Sequence, residues 1–164
     1  MKKLCLTMIA VFLLVCSIGV QAQTTQAQLN QMELMKQFLG TWQANAGKDT
    51  IEVWEFKQLG NAYLINTSQV VKGQKTPLYV NNMGFDSKAG KFKGYTLWLN
   101  GGYGTWIGSF TTKEKFLGDF VIDFNPETVY LKFQSVSVNP NEWIFTQITK
   151  DGVKTLEYKF NKVK

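Results

Sequence analysis

The stretch Phe38-Leu39-Gly40-Thr41-Trp42 divides the chain into two kinds of pattern. Before it, Leu29, Met32, Met35, Phe38 and Leu39 recur at helical spacing, with Glu33 and Lys36 on the opposite face. That spacing predicts one helix of about two to three turns. After it, apolar and polar residues alternate in short runs separated by turn residues, as in β-strands. Gly40 ends the helical turn without a Cβ penalty. Trp42 then becomes the first large ring delivered into a core that later strands fill with more. The junction reads as the closed end of a barrel.

Ten strands follow, at about Thr41 to Asn45, Thr50 to Leu59, Ala62 to Val71, Leu78 to Phe85, Lys91 to Leu99, Tyr103 to Thr112, Phe116 to Phe124, Thr128 to Val138, Trp143 to Lys150 and Val153 to Val163. Their connections are short, and Asp151-Gly152 is a strong two-residue hairpin signal. Short loops impose antiparallel pairing between neighbours in sequence. So many twisted strands either close on themselves or split into a sandwich. Closure removes exposed edges and needs no long crossover. The expected fold is therefore all-β: a roughly ten-stranded antiparallel up-and-down barrel with one short N-terminal helix.

The first residues carry a different message. Met1-Lys2-Lys3 is basic, Leu4 to Val20 is an apolar run, and Val20-Gln21-Ala22 supplies small or branched residues for a signal peptidase. The run is shorter than the roughly 20 apolar residues of a membrane span. Cys16 is preceded by Val15, where a lipoprotein signal wants a small residue. The expectation is a signal peptide over residues 1–22 cleaved after Ala22, a flexible leader over 23–28 and a barrel domain over 29–164. The product is then secreted or periplasmic, with no stable membrane anchor.

Cleavage removes both cysteines, Cys5 and Cys16, and the chain has no histidine. The mature protein therefore has no disulfide, thiolate nucleophile or imidazole. Histidine- or cysteine-based zinc sites, a Ser-His-Asp triad and haem held by His or Cys are excluded. No oxygen-ligand loop of the D-x-D-x-D-G kind suggests calcium. No metal, cofactor or catalytic residue is assigned. The basic residues are all lysine, scattered singly beside turns, and still outnumber the acids after cleavage for a formal charge of about +4. Nucleic-acid binding relies on arginine forks and clustered charge, and neither is present.

Period-two alternation sorts the faces. Glu55 and Lys57 face water, which turns Glu52, Trp54 and Phe56 inward. Phe116, Phe120, Ile122 and Phe124 follow on the seventh strand, Leu131, Phe133 and Ser135 on the eighth, and Trp143, Phe145 and Gln147 on the ninth. Leu156, Tyr158 and Phe160 complete the set, with Trp98, Trp106 and Phe110 from the less regular fifth and sixth strands. Large rings with few polar tips suit a small hydrophobic or aromatic ligand. The candidate binding residues are Glu52, Trp54, Phe56, Trp98, Trp106, Phe120, Phe133, Trp143, Phe145, Gln147 and Tyr158; the same rings also serve as core. Gly94, Gly104, Gly108 and Gly118 lie within strands and mark either bends for closure or room for a ligand. Glu52 sits near a strand start, where a carboxylate reaches solvent. Buried, it would anchor a polar ligand end or serve as general acid or base beside Tyr158.

Phe38-Leu39-Gly40-Thr41-Trp42 resembles the G-x-W opening of the calycin superfamily, which includes lipocalins and fatty-acid-binding proteins. Gly84-Phe85-Asp86, followed by Tyr95, Trp98 and Trp106, is similar to a bacterial family of secreted lipocalin-like proteins. The resemblance covers about Phe38 to Phe110 and implies a ligand-binding barrel. It has departures. Lipocalins set an arginine from the last strand over the tryptophan; here only Lys159 or Lys162 can supply a point charge. Ala46 to Asp49 leaves a turn where fatty-acid-binding proteins insert a helical lid. The nitrobindin branch holds haem through histidine, which this chain lacks. Three functions remain open: a binding protein for a small hydrophobic molecule, an isomerase, cyclase or hydrolase using Glu52 and Tyr158, and a ligand-free interaction module.

Overall fold

A computed structural model of the protein describes residues 29–163. The expected signal peptide and leader lie outside the described residues. The chain starts with a short helix, α1 (Gln31–Met35), which runs into a 3-10 turn at Lys36–Phe38. Ten strands follow: β1 (Gly40–Gly47), β2 (Thr50–Leu59), β3 (Ala62–Val71), β4 (Gln74–Asp86), β5 (Lys91–Trp98), β6 (Tyr103–Phe110), β7 (Lys115–Val121), β8 (Leu131–Asn139), β9 (Glu142–Thr149) and β10 (Lys154–Lys162). Each strand pairs antiparallel with its neighbour in sequence, and β10 closes on β1 through Trp42–Lys162, Gln43–Asn161 and Ala44–Phe160. The molecule is a closed up-and-down barrel, not a sandwich. Closure pairs both of the edges that a flat meander would expose.

The helix and its 3-10 turn together span Gln31 to Phe38, about two turns as the apolar spacing suggests, and polar contacts as well as apolar side chains hold them to the barrel end. Asn30 caps the helix, its Oδ1 accepting from Glu33 N at 3.1 Å. Gln31 makes two bonds to the backbone of Phe110: Nε2 donates to the carbonyl at 3.1 Å and Oε1 accepts from the amide at 2.7 Å. Tyr63 donates its hydroxyl to the Met32 carbonyl at 2.9 Å. Trp42, buried beneath, donates its indole N–H to the Phe38 carbonyl at 2.6 Å. The cation over Trp42 is Lys162, whose Nζ lies 5.1 Å from the ring centroid. Gly40, at φ +113°, has the backbone that lets the chain turn from the 3-10 segment into β1.

Three boundaries differ from the sequence reading by three residues or more, each for a local reason. β4 begins at Gln74 rather than Leu78, and Pro77 lies inside it. Pro77 stands opposite Ser68, where the β3–β4 register shifts between Thr67 and Ser68, so the missing N–H falls at an irregularity. β7 ends at Val121, and β8 begins only at Leu131. Asp123 and Phe124 have φ of 50° and 60°, and Asn125 N donates to the Ile122 carbonyl at 2.9 Å. This is the positive-φ pair of a tight hairpin turn, usually made with Asn and Gly. Ile122 and Phe124 therefore do not point inward as the alternation predicts. Ile122 is 59% exposed, and Phe124 sits at the surface.

Four of the in-strand glycines, Gly94, Gly104, Gly108 and Gly118, share one role. A Cβ on Gly94 would lie 1.9 Å from Trp106, and one on Gly118 would lie 2.2 Å from Phe133. Gly108 and Gly104 stand in the same relation to Phe116 and Trp98, at 2.6 and 2.8 Å. The glycines make room for the protein's own rings, which lie against the wall. Gly118→Ala is expected to push Phe133 into the lumen and to lower stability by about 1–3 kcal/mol, as overpacking does. Denaturant unfolding of the variant checks this, and an unchanged midpoint would contradict it.

Candidate functional site

The inner face is a continuous set of rings. Trp143 stacks on Phe160 at 4.5 Å with an interplanar angle of 13°, and Trp54 lies 4.8 Å from Phe160 and 5.1 Å from Phe145. Across the barrel, Trp106 meets Phe133 edge-on at 5.6 Å, and Phe120 lies 5.2 Å from Phe133. Offset and edge-on pairs of this kind contribute about 0.5–1.5 kcal/mol each beyond their area. They do not fill the barrel. A hollow of about 140 Å³ remains, running from Met35 and Phe38 beneath the helix to Tyr79, Trp98, Phe120 and Gln147. The first two are buried and the last four half-buried, so the hollow opens at the end away from α1.

Nine of the eleven residues expected from sequence come together around this hollow: Trp54, Phe56, Trp98, Trp106, Phe120, Phe133, Trp143, Phe145 and Gln147. Glu52 and Tyr158 do not line it. Glu52 is turned inward as the alternation predicts, but it does not reach solvent as its place near a strand start suggests: it is 6% exposed. Its carboxylate is engaged in the wall, Oε1 accepting from Trp54 Nε1 at 2.7 Å and from the Tyr79 hydroxyl at 3.5 Å. Tyr158 packs edge-on to Phe160 at 5.9 Å.

Sequence reasoning missed Met35, Phe38, Ile65, Tyr79, Asn81, Met83, Thr96, Phe116 and Ser135 as wall residues. Phe116 and Ser135 were legible as inward-facing, and Met35 and Phe38 as part of the helix's apolar face, but none of them as lining. Asn81 had its own signal: two adjacent asparagines in a strand, Asn81-Asn82, oblige one of an unfavourable strand residue to face the lumen. Asn81 Oδ1 accepts from Trp106 Nε1 at 3.2 Å and from the Thr96 hydroxyl. Among the described residues, no group of three or more Asp, Glu, His or Cys side chains is placed to hold a metal ion.

Burial, and then the Glu52 carboxylate nearby, pushes the Tyr158 phenol up to about 12. The same two causes, in the same order, hold Tyr79 far above the ordinary phenol range. Both phenols therefore favour the neutral form in the folded state. The Tyr158 contribution to stability is fully present below the unfolded phenol value of about 10 and is lost as pH rises through about 12. Tyr158→Phe is expected to soften the fall in melting temperature across that window. Melting curves taken over the alkaline range check it, and an identical decline in the variant would contradict it.

Ten antiparallel strands closing first on last, with a buried tryptophan under a cation from the last strand, are consistent with a calycin-like barrel. No protein-family model matches the chain, and no curated protein matches it.

Proposed function

We propose that this is an exported, lipocalin-like protein that binds a small hydrophobic or aromatic molecule inside its barrel. The observation that supports it is the ring-lined hollow of about 140 Å³, open at one end and sealed at the other by α1. Four of the five tryptophans, Trp54, Trp98, Trp106 and Trp143, line it. Interior hollows of roughly 150 Å³ with apolar walls take up benzene or xenon, whereas drug-sized ligands occupy roughly 300–1,000 Å³. The size points to one ring with a small substituent, not to a retinoid, a flavin or a long acyl chain. Export rests on the signal-like residues 1–22.

The enzyme reading requires an acid or base facing the cavity. Neither Glu52 nor Tyr158, the pair that reading used, lines the hollow, and Glu52 is held by Trp54 and Tyr79. A ligand-free module has no use for an open hollow. Binding is the reading that uses all of these features.

Titration with single-ring aromatics should change the tryptophan emission and raise the melting temperature. Ligand at 100 times its Kd corresponds to about 2.7 kcal/mol of added stability. Retinol and long-chain fatty acids should produce neither response. Silence across a panel of small apolar compounds would refute the proposal.

A further inference from the structure

The wall of the hollow is apolar over most of its area, and its best-defined polar group is Asn81. Asn82 is exposed, so Asn81 faces the lumen. An indole nitrogen only donates, so the atom 3.2 Å from Trp106 Nε1 is the amide oxygen, and Nδ2 is turned the other way. Thr96 donates to that same oxygen. The acceptor end of the amide is thus doubly engaged, while Nδ2 has no hydrogen-bond partner among the described residues. Nδ2 is not among the fully buried side-chain atoms left without a partner, so it stays accessible on the wall and free to donate to a guest. Asn81 consequently offers the lumen donors and no acceptor. Ser135, 7% exposed and also on the wall, has no side-chain partner among the described residues.

Charge sharpens the selection. Among the described residues no charged side chain lines the hollow, and the one buried carboxylate, Glu52, is held by Trp54 and Tyr79. A carboxylate or ammonium ligand would enter without a counter-charge, at a large desolvation cost.

We propose that the hollow selects a neutral, single-ring aromatic molecule bearing a carbonyl-type acceptor, with Asn81 Nδ2 donating to that acceptor. This rests on the reading that the hollow binds ligand at all, and names the ligand class. Asn81 is then the specificity-determining residue, held in orientation by Trp106 and Thr96. A site that hydrogen-bonds a ligand group discriminates against the analogue that lacks it, because its own donor is then left unpaired.

Acetophenone, ethylbenzene and benzoate share a ring and a similar size but differ in acceptor and charge. Titrated into the folded protein, with tryptophan emission and the indole N–H resonances as readouts, acetophenone should bind about three- to tenfold more tightly than ethylbenzene. Benzoate should not bind. Asn81→Asp keeps an oxygen for Trp106 and Thr96 but has no NH₂, and should bring the ratio of acetophenone to ethylbenzene affinity down to about one. Should that variant fail to fold, the three-ligand comparison in the unaltered protein decides the matter. Equal affinity for acetophenone and ethylbenzene would overturn the role of Asn81 and leave cavity binding standing. Failure of all three to bind would remove both.

Discussion

Four rings lie against the barrel wall because a glycine on the adjoining strand stands beneath each of them: Trp106 over Gly94, Phe133 over Gly118, Phe116 over Gly108 and Trp98 over Gly104. A ring that sits over a Cβ must stand up into the lumen; a ring over glycine can lie down. With 12 phenylalanines and five tryptophans in 164 residues, this decides whether the barrel is solid or hollow. The glycines cost backbone entropy and strand propensity, and flattening the rings offsets that cost by keeping them packed edge to face. The space left over is the hollow.

The two ends of the barrel are built differently. At the α1 end, Trp42 is pinned by its bond to Phe38, covered by Lys162 and packed edge-on to Trp143 at 6.0 Å. Gln31 and Tyr63 tie the helix to β6 and β3 by hydrogen bonds in addition to apolar contact. A lysine here supplies charge without the fork of an arginine, so the seal depends more on Trp42 itself. At the other end the wall residues Tyr79, Trp98, Phe120 and Gln147 are only half-buried, and the hollow opens on that side.

Much of the fold was legible because alternation and turn residues agree along most of the chain. β2 and β3 were readable to the residue, from Thr50 to Leu59 and from Ala62 to Val71, since Gly60-Asn61 and Lys72-Gly73 punctuate them. Where turn chemistry is atypical, the reading failed. Asp123 and Phe124 occupy a positive-φ turn with no glycine to announce it, so β7 was extended through them. The site was legible only as a face. Period two says that Glu52 and Trp54 share a side, but not that the indole N–H reaches back to the carboxylate and takes it out of solvent. Likewise, Asn81 acquires its meaning from Trp106 and Thr96, which only strand register brings beside it. Glycine content pointed to closure or room; that the room is for the protein's own rings needed coordinates.

The account turns on the lumen being empty enough to admit a guest. Crystals of the protein pressurised with xenon measure this most directly, since xenon enters apolar hollows of this size without any specific recognition. The account predicts an ordered xenon site between Trp54, Trp106 and Phe133. A structure in which the side chains meet across the axis and xenon is excluded would contradict it.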